Sequence, residues 1–363
     1  MATGDGGRAR RRARPRRAVG RASGGAGLTV AVTGPTGDIG RAFVRALERS
    51  RDVAAVRAMG RREVDPAAEG WRKTTYVRGD VLDREAVERL VAGADAVVHL
   101  AFAIMGAGGD EGHRVNLEGS RNVFTATVGA RVPRLVYTSS VAAYGFHPDN
   151  PPLLTEDVRP RGTSAHAYSA EKAEVEKLLW DVTRGSATAV YVFRPCIVAG
   201  PDALMMLQSI PYVQLSERIP EAVRWLLDTA AQVLKPVIPD NGVTFQLVHH
   251  DDVASALRAA TLGRGRPGVY NLAGAGTLNM RDLAEDLGWY AIPVPDLAVE
   301  AAVELAARLP FVPEKAQWIN ALRVPVLMST AKASRELGWR PRYGARETLR
   351  ATIAEARADE MLR

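Results

Sequence analysis

The chain has 363 residues, 47% hydrophobic and 25% charged, a composition that supports a packed core and argues against a disordered or fibrous protein. The formal net charge is +7, but residues 1–27 hold eight Arg against the single acid Asp5. The rest of the chain is close to neutral, so no nucleic-acid partner is expected for the folded body. The one cysteine, Cys196, excludes an intrachain disulfide and any Cys-based metal site.

Residues 1–27 offer almost nothing to bury and are expected to form a disordered Arg-rich tail. They carry no apolar core after the arginines, so they do not read as a secretory signal. No apolar run is long enough to span a bilayer, and a cytoplasmic location without a transmembrane segment is expected.

From residue 28 short apolar runs alternate with amphipathic stretches. LTVAVT (28–33) predicts a buried strand, and 39–50 a helix with Ile39, Phe43, Val44 and Leu47 on one face. Strands are predicted at 53–59, 74–80, 96–102, 134–140 and 187–195, with helices at 84–93, 114–130 and 166–184. Strand–helix alternation with nearly continuous apolar strands implies a parallel sheet covered by helices on both faces. Beyond 200 the pattern loosens. A strand running into a helix is expected over 243–261, capped by Asp251 or Asp252. A late strand is expected at 268–274, and helices at 279–288, 296–309 and 345–358. Residues 221–238 read as an amphipathic helical stretch, either core or a lid over a greasy substrate. The fold class is therefore α/β, a doubly wound parallel sheet of Rossmann type. A dinucleotide-binding domain is expected over 28–200, and over 201–363 a smaller C-terminal substrate-binding lobe interleaved with late sheet strands.

Gly34-Pro35-Thr36-Gly37-Asp38-Ile39-Gly40 follows the first strand and opens a helix. Glycine lets the backbone turn sharply and approach a pyrophosphate, and the helix N-terminus offers unpaired N–H groups to phosphate. The end of the second strand usually reads the adenosine ribose, through an acid for NAD or an Arg for NADP. This chain has Gly60, Arg61 and Arg62 there, with no acid before Glu63. That leans towards NADP, although the chain is Arg-rich throughout.

Tyr168 and Lys172 lie four residues apart on one helix face. A Tyr hydroxyl, with an ordinary pKa near 10, is too weakly acidic to act as a base at neutral pH. A nearby ammonium favours the phenolate, which can exchange a proton with an alcohol oxygen while hydride leaves or reaches the same carbon. Thr138-Ser139-Ser140 ends a neighbouring strand, where a hydroxyl can hold the substrate oxygen.

Taken in order, GPTGDIG (34–40), Gly79-Asp80-Val81, HLAFA (99–103), VNLEGS (115–120), VYTSSVAAYG (136–145), YSAEK (168–172), FRP (193–195), AGP (199–201), HHDDVASAL (249–257), YNLAG (270–274) and ELGWRPRY (336–343) resemble the extended short-chain dehydrogenase/reductase family. This family is also called the NAD-dependent epimerase/dehydratase family, and the resemblance runs over 28–350. It implies that Tyr168 is the acid/base, that Lys172 holds the nicotinamide ribose and tunes Tyr168, and that Ser140 orients the substrate oxygen. It also implies that Asn116 supports a water or backbone link near Lys172. For the cofactor it implies Gly34, Thr36, Gly37, Asp38, Ile39, Gly40, Asp80, Val81, Leu100, Ala101, Phe102, Tyr168, Lys172, Pro195 and Ile197, with Arg61 and Arg62 at the ribose. The missing second-strand acid departs from the NAD pattern. A homodimer through the helices over 114–130 and 166–184 is a further implication.

The remaining residues carry less. Cys196 reads as packing. His249 and His250, if both lie on a strand, face opposite sides and cannot share a metal, so no metal site is expected. His147 and His166 could flank the site from loops. No arginine pattern for a sugar diphosphate stands out over 201–330, which favours a lipophilic or small carbonyl substrate. The expected function is an NAD(P)-dependent oxidoreductase acting at a secondary alcohol or ketone carbon. The alternatives are a nucleotide-sugar epimerase or dehydratase that retains its NAD, and a non-catalytic dinucleotide-binding sensor.

Overall fold

The computed structural model describes residues 27–103, 110–208, 235–295 and 324–362. Its main sheet contains β1 (Leu28–Thr33), β2 (Val53–Gly60), β3 (Thr74–Arg78), β4 (Ala96–His99), β5 (Arg134–Thr138), β6 (Ala189–Pro195) and β10 (Gly268–Leu272). All neighbours pair in parallel, in the spatial order β10-β6-β5-β4-β1-β2-β3. The chain moves one way from β1 to β3, then restarts beside β1 with β4 and moves the other way. This reversal opens a crevice at the carboxyl ends of β1 and β4, where doubly wound sheets bind their ligands.

Successive residues of the inner strands enter opposite cores, which explains their lack of polar alternation, whereas the edge strand β3 is largely exposed. Val30, Val32, Val98, Val136, Tyr191 and Phe193 join one cluster, which includes Phe43 and Leu47 of α1 (Asp38–Glu48). On that face α1 packs beside α6 (His250–Thr261). Ala31, Val97, Leu135, Tyr137, Val190 and Val192 join the other, with Val87 of α2 (Arg84–Val91), Phe124 of α3 (Asp110–Gly129) and Leu179 of α4 (Ala167–Thr183). Fully burying one such side chain contributes roughly 1.5–3 kcal/mol.

Strand ends account for the main boundary differences. The expected strand 96–102 stops at His99, because Leu100–Phe102 turn over the glycine loop, with Leu100 N–H bonded to Thr33 O at 3.1 Å. The expected strand 134–140 stops at Thr138. There Ser140 caps a 3-10 turn, Val141–Tyr144, by accepting from the Ala142 N–H at 3.2 Å.

A third apolar cluster gathers residues between Ala199 and Leu362. It includes α7 (Met280–Leu287), α8 (Ala345–Ala358) and two small parallel pairs. One joins β7 (Ile197–Ala199) to β9 (Leu247–His249), and the other joins β8 (Val237–Asp240) to β11 (Tyr290–Pro293). α7 starts in a capping box between Asn279 and Asp282 and ends at left-handed Gly288. The short α5 spans Met205–Gln208. Of the expected amphipathic stretch 221–238, residues 221–234 lie outside the described residues, and Val237 and Ile238 belong to β8. The expected helix 296–309 lies outside them.

The junction of β9 and α6 differs from expectation in two ways. The strand ends at His249, whose Nδ1 caps α6 by accepting from the Asp251 N–H at 3.2 Å. Asp251 and Asp252 occupy the first helical turn, where carboxylates suit the positive end of the dipole. Because the strand ends between the two histidines, their rings lie on the same side, with centroids 4.3 Å apart. Fully buried Asp252 instead accepts from the N–H groups of Arg342 (2.9 Å) and Tyr343 (3.1 Å), while its carbonyl accepts from Trp339 Nε1 at 2.9 Å. The carboxylate thus pins residues 342–343, and the backbone carbonyl Trp339, to α6. Asp252→Ala leaves the Arg342 and Tyr343 amides without this partner and is expected to lower stability by about 1–3 kcal/mol. Urea unfolding measures this, and an unchanged midpoint would show that the clamp is dispensable.

Candidate active site

Gly34 follows β1 in the left-handed region (φ +72°), and a Cβ there would lie 2.6 Å from the Ala101 nitrogen. A Cβ on Gly40 would overlap the carbonyl oxygen of Gly34. The loop and the segment after β4 therefore meet backbone to backbone, and Gly37 caps α1 without a side-chain bond of its own. The free N–H groups at this helix start, beside the crevice, are the donor set a pyrophosphate requires. Thr36 is half-buried, Ile39 packs against the core, and Asp38 is the first helical residue. Burial raises the carboxyl pKa of Asp38, opposed by His250 and reinforced by Asp202. Asp202 in turn is ion-paired with Arg45.

At the end of β2, Arg61 and Arg62 are exposed. Their carbonyls accept from Arg78 Nε (3.2 Å) and the Tyr76 hydroxyl (2.5 Å), two same-face residues of β3. No acid stands between Gly60 and Glu63. Asp80 folds back on its own turn, accepting from the Leu82 N–H at 3.0 Å. Val81 packs where a Cβ on Gly119 of α3 would collide. Pro195 ends β6, and Ile197 begins β7, which pairs outside the main sheet.

Tyr168, Lys172 and Glu176 occupy successive turns of one face of α4 and meet three consecutive residues at the end of β5. The Tyr168 hydroxyl shares a hydrogen bond with Ser140. Lys172, 3% exposed, donates from Nζ to the Thr138 carbonyl at 3.1 Å. Ser139 donates its hydroxyl to Glu176 at 2.5 Å. Phe102 lies 3.4 Å below the Lys172 ammonium, measured to its ring centroid, and edge-on to Tyr168 at 5.7 Å. Burial pushes Tyr168 up to about 12, with the Ser140 bond opposing. It pulls Lys172 down to about 7, with Glu176 and then Glu171 opposing.

Asn116 stands apart from Lys172 in its bonding. Its Oδ1 accepts from the Ala103 N–H (2.7 Å), and its Nδ2 donates to the Ala103 carbonyl (3.0 Å) and to Glu171 (2.6 Å). It therefore clamps the segment after β4 onto α4. Of the flanking histidines, His166 caps α4 by accepting from the Ser169 N–H at 3.2 Å. His147 Nε2 pairs with the Gly162 carbonyl at 2.6 Å. Both hold loops in place, and the His166 ring also lies 6.4 Å from that of Tyr168.

Sequence reasoning passed over Glu176 and Arg194, a fully buried bidentate ion pair (2.9 and 2.6 Å) beneath Ser139. The available signal was Glu176 falling four residues after Lys172, on the Tyr168 face. Cys196 is a buried free thiol whose pKa burial raises, as a packing role requires. Among the described residues, His249, His250 and Asp251 bring possible metal-binding atoms within 4.8 Å of one another. This corrects the expectation that the two rings diverge. Asp251 already faces His250 Nδ1 at 3.4 Å and Arg342 at 4.0 Å, and His249 Nδ1 is taken by the Asp251 N–H.

Two predictions follow from burial at this edge. Gly40→Ala is expected to weaken NAD(P) binding at least about tenfold, because the loop must open to admit the methyl group; calorimetric titration measures it, and unchanged affinity would disprove the close approach. The second concerns Lys172, whose folded pKa near 7 lies below the ordinary value of 10.5. The unfolded chain binds more protons across that window, so stability rises as pH rises through it. Relative to the parent, ligand-free Lys172→Met is expected to be most stable below pH 7 and to lose that advantage by at least about 1 kcal/mol towards pH 10. Parallel stability curves would contradict the buried charge.

Known proteins resemble this chain in sequence and in fold. The model of the NAD dependent epimerase/dehydratase family matches residues 30–273. The 2-alkyl-3-oxoalkanoate reductase of Stenotrophomonas maltophilia is 28% identical over 351 residues, covering 91% of this chain and all of that one. Among solved structures, the dTDP-glucose 4,6-dehydratase DesIV of Streptomyces venezuelae, with NAD and TYD bound, superposes with a TM-score of 0.69 at 23% identity, covering 92% of this chain and 98% of that one. The UDP-glucose 4-epimerase of Thermotoga maritima, with UDP-glucose, gives 0.67 at 21% identity over 92% and 100%. With its glycine loop, parallel sheet order and match over two thirds of its length, the chain belongs to the NAD-dependent epimerase/dehydratase family.

Proposed function

We propose that this protein is an NAD(P)-dependent oxidoreductase that reduces a ketone, or oxidises the corresponding secondary alcohol, with Tyr168 as acid/base. The observation that carries the reading is the rung of Ser140 and Tyr168 beside buried Lys172 at the open edge of the sheet. The glycine cradle of residues 34–40 fits a dinucleotide, whose nicotinamide supplies or accepts the hydride. Ser140 and Tyr168 together bind the substrate oxygen and orient its carbon. Tyr168 rests protonated, its pKa raised to about 12 by burial, so it is set to donate its proton to an oxygen gaining negative charge. Lys172 as an ammonium stabilises the phenolate that remains. In the reverse direction the phenolate takes the alcohol proton. The resting state favours the reductive direction, in keeping with the name of the Stenotrophomonas relative.

Phe102 and the ring of His166 lie against Tyr168, and Phe146 packs on His166; these rings suit a lipophilic ketone. Arg61 and Arg62 without a neighbouring acid support NADP over NAD through the 2′-phosphate. A second reading, an epimerase or dehydratase that keeps its NAD, is favoured by structural relatives solved with bound NAD.

Release of cofactor from denatured protein separates the two. A site purified empty, with NADPH bound more tightly than NADH, supports the reductase, whereas stoichiometric NAD supports the second reading. Tyr168→Phe is expected to lower kcat with NADPH and a panel of hydrophobic 3-oxo acids and ketones by about 10²–10⁴-fold while leaving NADPH affinity nearly unchanged. Turnover retained by that variant would remove the mechanism.

A further inference from the structure

Glu176 has no part in the chemistry above, yet it is fully buried one helical turn below Lys172. A buried ion pair contributes little net stability compared with apolar side chains of the same volume, so packing alone gives weak grounds for one here. Its surroundings point elsewhere. One carboxylate oxygen takes both the Ser139 hydroxyl (2.5 Å) and Arg194 Nε (2.9 Å), and the other takes an Arg194 terminal nitrogen (2.6 Å). Arg194 is held from behind by the Tyr144 ring, 4.4 Å from its guanidinium carbon. Ser139 lies between Thr138, whose carbonyl accepts from Lys172, and Ser140, which bonds Tyr168.

We propose that Glu176 is a positioning residue for the Tyr168–Lys172 pair, fixing the end of β5 through Ser139 and supplying the negative charge that keeps buried Lys172 an ammonium. The proposal rests on the acid/base reading of Tyr168.

Each element packed on Lys172 brings its own groups. α4 brings Tyr168, Glu171 and Glu176, β5 brings Tyr137, and β4 brings His99, held neutral by burial, which lowers its pKa to about 3. The segment after β4 brings the uncharged Phe102. α3 acts through His113, 3.4 Å from Glu171, and β6 acts through Arg194 on the far side of Glu176. Of the charged groups, the two glutamates favour the ammonium, and Glu176 is the larger influence. Glu171 divides its carboxylate between Asn116 and His113.

The test is the titration of Lys172 in the full chain without ligand, labelled with ¹³C-lysine and followed by NMR. The chain has only six lysines, and Lys172→Met assigns the signal. Glu176→Gln is expected to lower the ammonium-to-amine ratio of Lys172 at a given pH at least about tenfold, one pH unit in its midpoint. Ser139→Ala is expected to leave that midpoint in place. An unchanged midpoint in Glu176→Gln overturns the proposal, as does an equal displacement in Ser139→Ala. Should Glu176→Gln not fold, the double variant Glu176→Gln/Arg194→Met removes the pair as a unit, and a displacement in the same direction is expected, smaller because the Arg194 cation is lost with it; an unchanged midpoint there overturns the proposal. The titration needs no substrate, so its outcome is separate from that of Tyr168→Phe, whose retained turnover would sink the acid/base reading alone.

Discussion

The edge of the sheet is organised by the contact of α4 with the end of β5. Three successive turns of the helix present Tyr168, Lys172 and Glu176, and three consecutive residues of the strand end receive them. The strand is extended to Thr138 and turns at Ser140, which lets Ser140, Thr138 and Ser139 meet Tyr168, Lys172 and Glu176 respectively. The 3-10 turn capped by Ser140 makes that bend. Every other part of the site is placed relative to this contact. Asn116 ties the segment after β4 to Glu171 on the same helix, and Gly34 ties the glycine loop to that segment.

Charge is costly here, and the arrangement depends on that cost. Burial holds Tyr168 neutral and brings Lys172 down to about 7, so the charge of Lys172 is easily moved by a nearby group of opposite charge. In water Lys172 would stay an ammonium near neutral pH and respond little to its surroundings. Phe102, stacked on the ammonium, keeps the dielectric low while offering the cation a partner that does not neutralise it.

The strands and the glycine loop were legible because burial on both faces and close backbone approach each demand a narrow set of residues. LTVAVT could hardly be anything but an inner strand, and Gly34 and Gly40 sit where no Cβ fits. Tyr168 and Lys172 stood out by spacing, with Ser140 at a strand end. Glu176 did not, because a glutamate in a helix ordinarily faces water and its partner Arg194 lies on another strand, 18 residues on. The small pairs β7–β9 and β8–β11 escaped for a different reason: three or four residues are too few to show a period. The His249 cap was misplaced because aspartate is the commoner capping residue, and periodicity does not locate the residue at which a strand ends.

The buried state of Cys196 has a practical side. A thiol held at 6% exposure with a raised pKa is a poor nucleophile towards alkylating reagents and mild oxidants. As the chain has no other cysteine, a cysteine introduced on the surface would be the one reactive sulfur in the molecule. Spin labels or fluorophores could be set on α4 or beside Phe102 one at a time without first rebuilding the core, and the movements of this edge followed directly.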